Sequence, residues 1–104
     1  MPLQIRTKDI TLSEPQQEHL QNAVEKFKKY HLDITKILAN ITGEKTGIHV
    51  EFEVFVAHQE PVIINETDPK FDEALDKAAA RVEKALRRLH DKIKSPKHES
   101  IKEL

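Results

Sequence analysis

Lys77, Arg81, Lys84, Arg88 and Lys92 recur at steps of four, three, four and four along the last third of the chain. At about 100° of rotation per helical residue they share one arc of roughly 80°. Five cations on one rigid face suit the neutralisation of an extended anion, because lysine and arginine displace the counterions condensed on a polyanion. Arg87 adjoins this row. The same pattern is also the ordinary look of a solvated helix flank, so the row by itself leaves both readings open.

The row needs a helix to carry it, and the sequence supplies one. Phe71, Leu75, Ala79, Val82, Leu86, Leu89 and Ile93 form a second arc of similar width at the helical period. Asp68 is expected to cap this helix and Pro69 to occupy its first position, where a missing N–H costs nothing. A core-facing stripe beside a cationic stripe predicts a helix that docks on a sheet and shows its cations to solvent.

Residues 3–10 read as a first strand, with Leu3, Ile5 and Thr7 on one face and a bulge or turn near Lys8. Ser13 with Gln16 makes a capping box, with Pro15 in the first turn, and Leu20, Val24 and Phe27 continue a helical stripe to about residue 31. Residues 34–42 form a second strand, with Ile37, Ala39 and Ile41 on one face, and Gly43 and Gly47 bracket a polar turn. Residues 48–58 alternate most clearly: Val50, Phe52, Val54 and Val56 inward, His49, Glu51, Glu53 and Phe55 outward. That pattern predicts an antiparallel sheet with one covered and one wet face. Residues 62–66 make a fourth strand. The order is β-α-β-β-β-α, and its economical packing is an α+β two-layer sandwich with both helices on one face of a four-stranded sheet, like a double-stranded RNA-binding domain. A single domain over residues 1–94 and a flexible tail over 95–104, with Pro96 and weak periodicity, are expected.

A net charge of −1 conceals a regional split. Residues 44–76 carry two basic and nine acidic side chains, whereas residues 77–97 carry eight and two. Such asymmetry points to a polyanion partner. The absence of cysteine removes disulfides, thiol catalysis and thiolate-bound zinc. No stretch approaches the roughly 20 apolar residues of a membrane span, and the N-terminus lacks the pattern of a signal peptide. A cytoplasmic protein without membrane contact is expected.

Six histidines, at 19, 31, 49, 58, 90 and 98, form no i, i+4 or HExxH pair, so no metal site is expected. Glu51 and Glu53 project from one strand face as paired carboxylates would, yet no nucleophile motif accompanies them. No catalytic residue, cofactor or small-molecule substrate is assigned, and an enzyme is the least favoured class.

The run Arg81-Val82-Glu83-Lys84-Ala85-Leu86-Arg87-Arg88-Leu89-His90-Asp91-Lys92, with this element order, resembles the second helix of the short-form ribosome hibernation-promoting factors. That family includes the ribosome-associated inhibitor called protein Y, and is also described as sigma-54 modulation protein. Arg81, Lys84, Arg88 and Lys92 fall on its basic positions, Val82 and Leu86 on its apolar ones. The opening Leu3-Gln4-Ile5 strand and the Ile10-Thr11-Leu12-Ser13 helix start also resemble it. Ala85 and His90 depart from its usual Gln and Lys, and Gln59-Glu60-Pro61 replaces a glycine-containing turn.

The resemblance implies a non-enzymatic factor that binds the small ribosomal subunit (16S-type rRNA) across the decoding channel, inhibiting translation or promoting hibernation. No long-form dimerisation domain is expected. Candidate RNA-binding residues are Lys77, Arg81, Lys84, Arg87, Arg88 and Lys92. Lys26 and Lys29 extend the patch or simply solvate a helix end; Arg6 and Lys8 contact RNA or guard a strand edge. For five phosphate contacts, affinity should fall on the order of 10²-fold between 50 and 200 mM salt. The alternatives are a general duplex-RNA binder and a protein-interaction module using an acidic sheet face (Glu51, Glu53, Phe55, Glu66).

Overall fold

The computed structural model describes residues 2–94, and the tail expected over residues 95–104 lies outside them. The elements are β1 (Leu3–Lys8), α1 (Glu14–Glu25), a 3₁₀ segment (Lys26–Tyr30), β2 (Ile34–Glu44), β3 (Gly47–Val56), β4 (Val62–Asp68) and α2 (Phe71–Lys94). The strands lie in the order β1-β2-β3-β4, and both helices cover one face. The β2–β3 and β3–β4 pairs are antiparallel, but β1 pairs with β2 in parallel, so the sheet is mixed. Parallel neighbours need a crossover, and α1 with the 3₁₀ segment is that crossover.

The core joins the two layers. Leu20, Val24 and Phe27 from the first helical stretch meet Ile37, Ala39, Ile41, Val50, Phe52 and Val54 from the sheet, and Phe71, Leu75, Val82 and Leu86 from α2. Phe27 stands edge-on to Phe52, with ring centroids 5.6 Å apart. Ala74 and Ala78 are also buried, so the apolar stripe of α2 is wider at its start than the sevenfold pattern suggested. It narrows toward the end, where Ile93 is 42% exposed. Length explains this: 24 helical residues run about 36 Å, whereas the seven of β4 run about 23 Å, so α2 outreaches its neighbouring strand.

Local chemistry sets the element ends. The Ser13 hydroxyl accepts from the Gln16 N–H at 3.3 Å and the Gln16 side chain accepts from the Ser13 N–H at 2.9 Å, completing the capping box. The first helix does not stay α-helical to residue 31: at Lys26 the N–H is shared between the Ala23 and Val24 carbonyls, and the coil tightens to 3₁₀. His31 ends it in the left-handed region at φ 55°.

Asp68 is not the cap of α2. It closes β4 opposite Ile48, and its Oδ1 accepts from the Lys70 N–H at 3.1 Å; the Ala74 N–H donates to the Lys70 carbonyl at 3.0 Å, so Lys70 stands at the cap position and α2 opens at Phe71. Gly43 and Gly47 flank the β2–β3 turn for a steric reason. A side chain at Gly43 would run into the Asp9 carbonyl, and Gly47 has φ +147° with the Asp68 backbone pressed against it.

Candidate nucleic-acid interface

α2 carries three flanks with different duties. One faces the core. A second faces α1, where His19 lies between Asp72 and Asp76 with each ring nitrogen 2.9 Å from a carboxylate oxygen. Ionised carboxylates only accept, so both nitrogens must donate, and only the imidazolium has two N–H groups. The bond to Asp72 is the largest cause of a raised His19 pKa; burial beside Phe71 opposes it, and Asp76 adds to the rise. Further along this flank, the Tyr30 hydroxyl donates to Glu83 Oε1 at 2.8 Å and Lys29 Nζ reaches the same oxygen at 3.0 Å. Burial alone would raise the Glu83 pKa, but the hydrogen bonds from Tyr30 and Lys29 carry it below the ordinary carboxylate value.

The third flank is the cationic row, and the structure divides it. Lys77 Nζ donates to Asp68 Oδ2 at 2.7 Å, and Arg81 Nη1 donates to Glu66 Oε2 at 2.7 Å and to the Asn65 carbonyl at 3.0 Å. The Lys77 ammonium, followed by the Lys70 N–H, holds the Asp68 carboxyl below its usual range, and Asp68 in turn raises Lys77. These two cations still face solvent, but each is tied to a carboxylate, against the expectation of five charges open to an anion. The reason is a matched repeat: two strand residues advance about 6.6 Å and four helical residues about 6.0 Å, so Asp68 and Glu66 meet Lys77 and Arg81 in step. The next inward positions of β4 are Ile64 and Val62, which offer no charge.

Lys84, Arg88 and Lys92 continue the row without an ion pair among the described residues, and all three are exposed. Arg88 and Lys92 edge a shallow groove with His58, Gln59, Glu60, Val62 and Leu89. Arg87 is exposed and likewise has no ion pair among the described residues, but it sits roughly 60° from Lys84 around the helix, toward α1. On the 3₁₀ segment, Lys26 is exposed with no ion pair among the described residues, Lys28 is bound to Glu25 at 3.1 Å, and Lys29 to Glu83. Both elements bring their lysines and arginines to the C-terminal end of the helical layer, where helix dipoles favour them. Asp72, Glu73 and Asp76 gather at the opposite end of α2.

Arg6 and Lys8 do not join this cluster. They lie on the uncovered sheet face, level with Asn40 and Thr42 of β2. The same face carries Glu51, which accepts from Asn40 Nδ2 at 3.0 Å, and His49, whose ring bonds to Thr67 at 2.9 Å and Asn65 at 2.7 Å. Lys36 Nζ lies 5.9 Å from the Phe55 ring centre. The sheet face is thus mixed: basic along β1, acidic along β3. Among the described residues no group of three or more His, Cys, Asp or Glu is placed to hold a metal ion, and no helix is long and apolar enough to cross a membrane.

Sequence reasoning missed the contacts that lock the flanks of α2: His19 with Asp72 and Asp76, Tyr30 and Lys29 with Glu83, and Lys77 and Arg81 with Asp68 and Glu66. The His19 clamp had a signal in Asp72 and Asp76 at helical spacing, and the Glu66–Asp68 pair was visible as two acids at strand spacing opposite two cations at helix spacing. Neither is decisive until the two elements are known to be neighbours.

This two-layer β-α-β-β-β-α architecture is shared with solved proteins of the ribosomal interface class. The structure of a ribosomal subunit interface protein from Coxiella burnetii superposes with a TM-score of 0.78 at 13% identity, covering 86% of this chain and 97% of that one. The Protein Y N-terminal domain from Thermus thermophilus gives 0.75 at 15% identity, covering 86% and 99%. At these identities the likeness establishes the fold. No curated protein matches the sequence. Residues 3–94 match the model of the Sigma 54 modulation protein / S30EA ribosomal protein family, and the chain belongs to that family.

Proposed function

We propose that this chain is a non-enzymatic, cytoplasmic ribosome-binding factor that occupies the decoding channel of the small subunit and thereby inhibits translation or promotes ribosome hibernation. The observation that carries the proposal is the family match over residues 3–94 together with a row of exposed cations on α2 that have no ion pair among the described residues. Lys84, Arg87, Arg88 and Lys92 are the principal contacts to rRNA phosphate, with Lys26 extending the patch and Lys29, Lys77 and Arg81 available only by exchanging a carboxylate partner. Arg6 and Lys8, on the other sheet face, serve a second, separate contact. The acidic end of α2 is repelled by phosphate and sets the orientation of docking.

Four phosphate contacts at the single-strand slope imply a loss of about 50-fold in affinity between 50 and 200 mM salt. Sedimentation with purified ribosomes across that range is the test. Co-migration with small subunits at low salt, weakened by messenger and transfer RNA that fill the channel, supports the proposal; absence of co-migration at 50 mM salt rejects it. Binding to free duplex RNA in a gel shift, with no ribosome binding, would instead favour the duplex-RNA reading.

A further inference from the structure

Glu66, expected on the open sheet face with Glu51 and Glu53, lies instead with Asp68 on the covered side, and these two are the acids that face the cationic row. Each binds its cation at 2.7 Å, the short distance of a charge-assisted hydrogen bond. Neither carboxylate dangles in solvent: the side chain of Glu66 is 23% exposed and that of Asp68 only 12%. Asp68 is further fixed by the Lys70 N–H. Lys77 and Arg81, by contrast, are each 54% exposed, so an anion approaching from solvent reaches the cation but meets a carboxylate already bound behind it.

We propose that Glu66 and Asp68 are built-in competitors for the anion, occupying Arg81 and Lys77 as a phosphate would and confining polyanion binding to the C-terminal half of α2. The inference rests on the polyanion-binding reading above and names what limits that site. Carboxylate and phosphate present the same feature to an ammonium or guanidinium, paired oxygens with acceptor lone pairs. For phosphate to take Arg81 at Nη1, that nitrogen must give up or share both Glu66 and the Asn65 carbonyl, and a phosphate held instead at Nε or Nη2 still lies beside the Glu66 carboxylate. The carboxylate also places a like charge beside the incoming phosphate. Both effects act in one direction. The Arg81 side of the pair is 54% exposed and screened by solvent, and glutamine keeps the shape of Glu66 and an oxygen to accept from Arg81, so the acid can be neutralised with the fold intact.

The test compares the wild-type chain, Glu66→Gln, Arg81→Gln and the double variant in two assays: sedimentation with small subunits, and the salt needed for elution from heparin, a sulfated polyanion that reads cation availability without a ribosome. Freeing one cation should steepen the log K against log salt slope by about 0.7, and tighten binding about fivefold at 0.1 M salt. Arg81→Gln alone should leave the slope unchanged, and in the double variant the slope should return to the wild-type value. Unchanged or weaker binding by Glu66→Gln, or a loss of about 0.7 in slope on Arg81→Gln alone, overturns the competition. Equal thermal unfolding across the set confirms that the charge change, and not damage to the fold, is being read. If the heparin shifts appear while the chain ignores ribosomes, the competition stands and the ribosome reading falls. If ribosomes bind and Glu66→Gln changes nothing, the reverse holds.

Discussion

Replacing His19 by glutamine should destabilise the protein in acid and leave it nearly untouched in base. His19 ties α1 to α2 through Asp72 and Asp76, each at 2.9 Å, and both bonds require the imidazolium. The folded state therefore raises the His19 pKa, chiefly through the bond to Asp72. A group whose folded pKa exceeds its unfolded value contributes stability that is complete below the unfolded value, about 6.5 for histidine, and disappears as pH rises through the folded one. The two aspartates are 69% and 67% exposed, so solvent screens the pair and the contribution is modest, about 1 kcal/mol. With a urea m-value of about 1–2 kcal/mol/M for a domain of this size, the wild-type midpoint at pH 5.5 should exceed that of His19→Gln by about 0.5–1 M. At pH 9 the two midpoints should converge. Urea titrations of both proteins at the two pH values make the comparison, and the difference between them cancels every other titrating group. A gap that is constant with pH, or wider at pH 9, refutes the reasoning.

Other consequences follow from the same contacts. Tyr30→Phe removes a donor to Glu83, and the cost should be about 1 kcal/mol at neutral pH by urea melting. Because the folded Glu83 pKa is lowered, that stability is present above the unfolded value and is lost as pH falls through the folded one, so the penalty should shrink in acid. Leu86→Ala empties a fully buried site between α2 and the sheet and should cost about 2–5 kcal/mol, seen as a large fall in denaturation midpoint. Gly43→Ala drives a methyl group into the Asp9 carbonyl and should cost about 1–3 kcal/mol, with the loss visible in thermal unfolding.

Much of the fold is legible in the sequence because its signals are local. The alternation from Ile48 to Val56 fixes which face of β3 is buried, and the Ser13–Gln16 box fixes where α1 begins. The parallel β1–β2 pair is less legible, since strand direction depends on what the crossover does in space and no residue of β1 records it. The start of α2 shifts from Pro69 to Phe71 for a similar reason: Asp68 has the chemistry of a cap, but pairing with Ile48 keeps it in β4.

The cationic row is legible as a row, because helical spacing alone decides it. Its division is not. Whether Arg81 faces solvent or Glu66 depends on β4 lying alongside α2 in matched register, a tertiary fact. Lys84, Arg88 and Lys92 have no ion pair among the described residues because Ile64 and Val62 follow Glu66 in the inward series and because α2 outlasts the strand. The separation of Arg6 and Lys8 from the α2 cations follows from strand alternation: Leu3 and Ile5 pack toward the helices, so Arg6 and Lys8 project to the other face.

Cations beyond Glu83 on α2 are the groups proposed to hold phosphate. The most direct measurement of this is the salt dependence of small-subunit binding for wild type and Lys84→Gln/Arg88→Gln, between 50 and 200 mM. Loss of two phosphate contacts should make the slope shallower by about 1.4–1.8 while thermal unfolding stays the same. A slope equal to that of wild type, with the fold intact, contradicts the account.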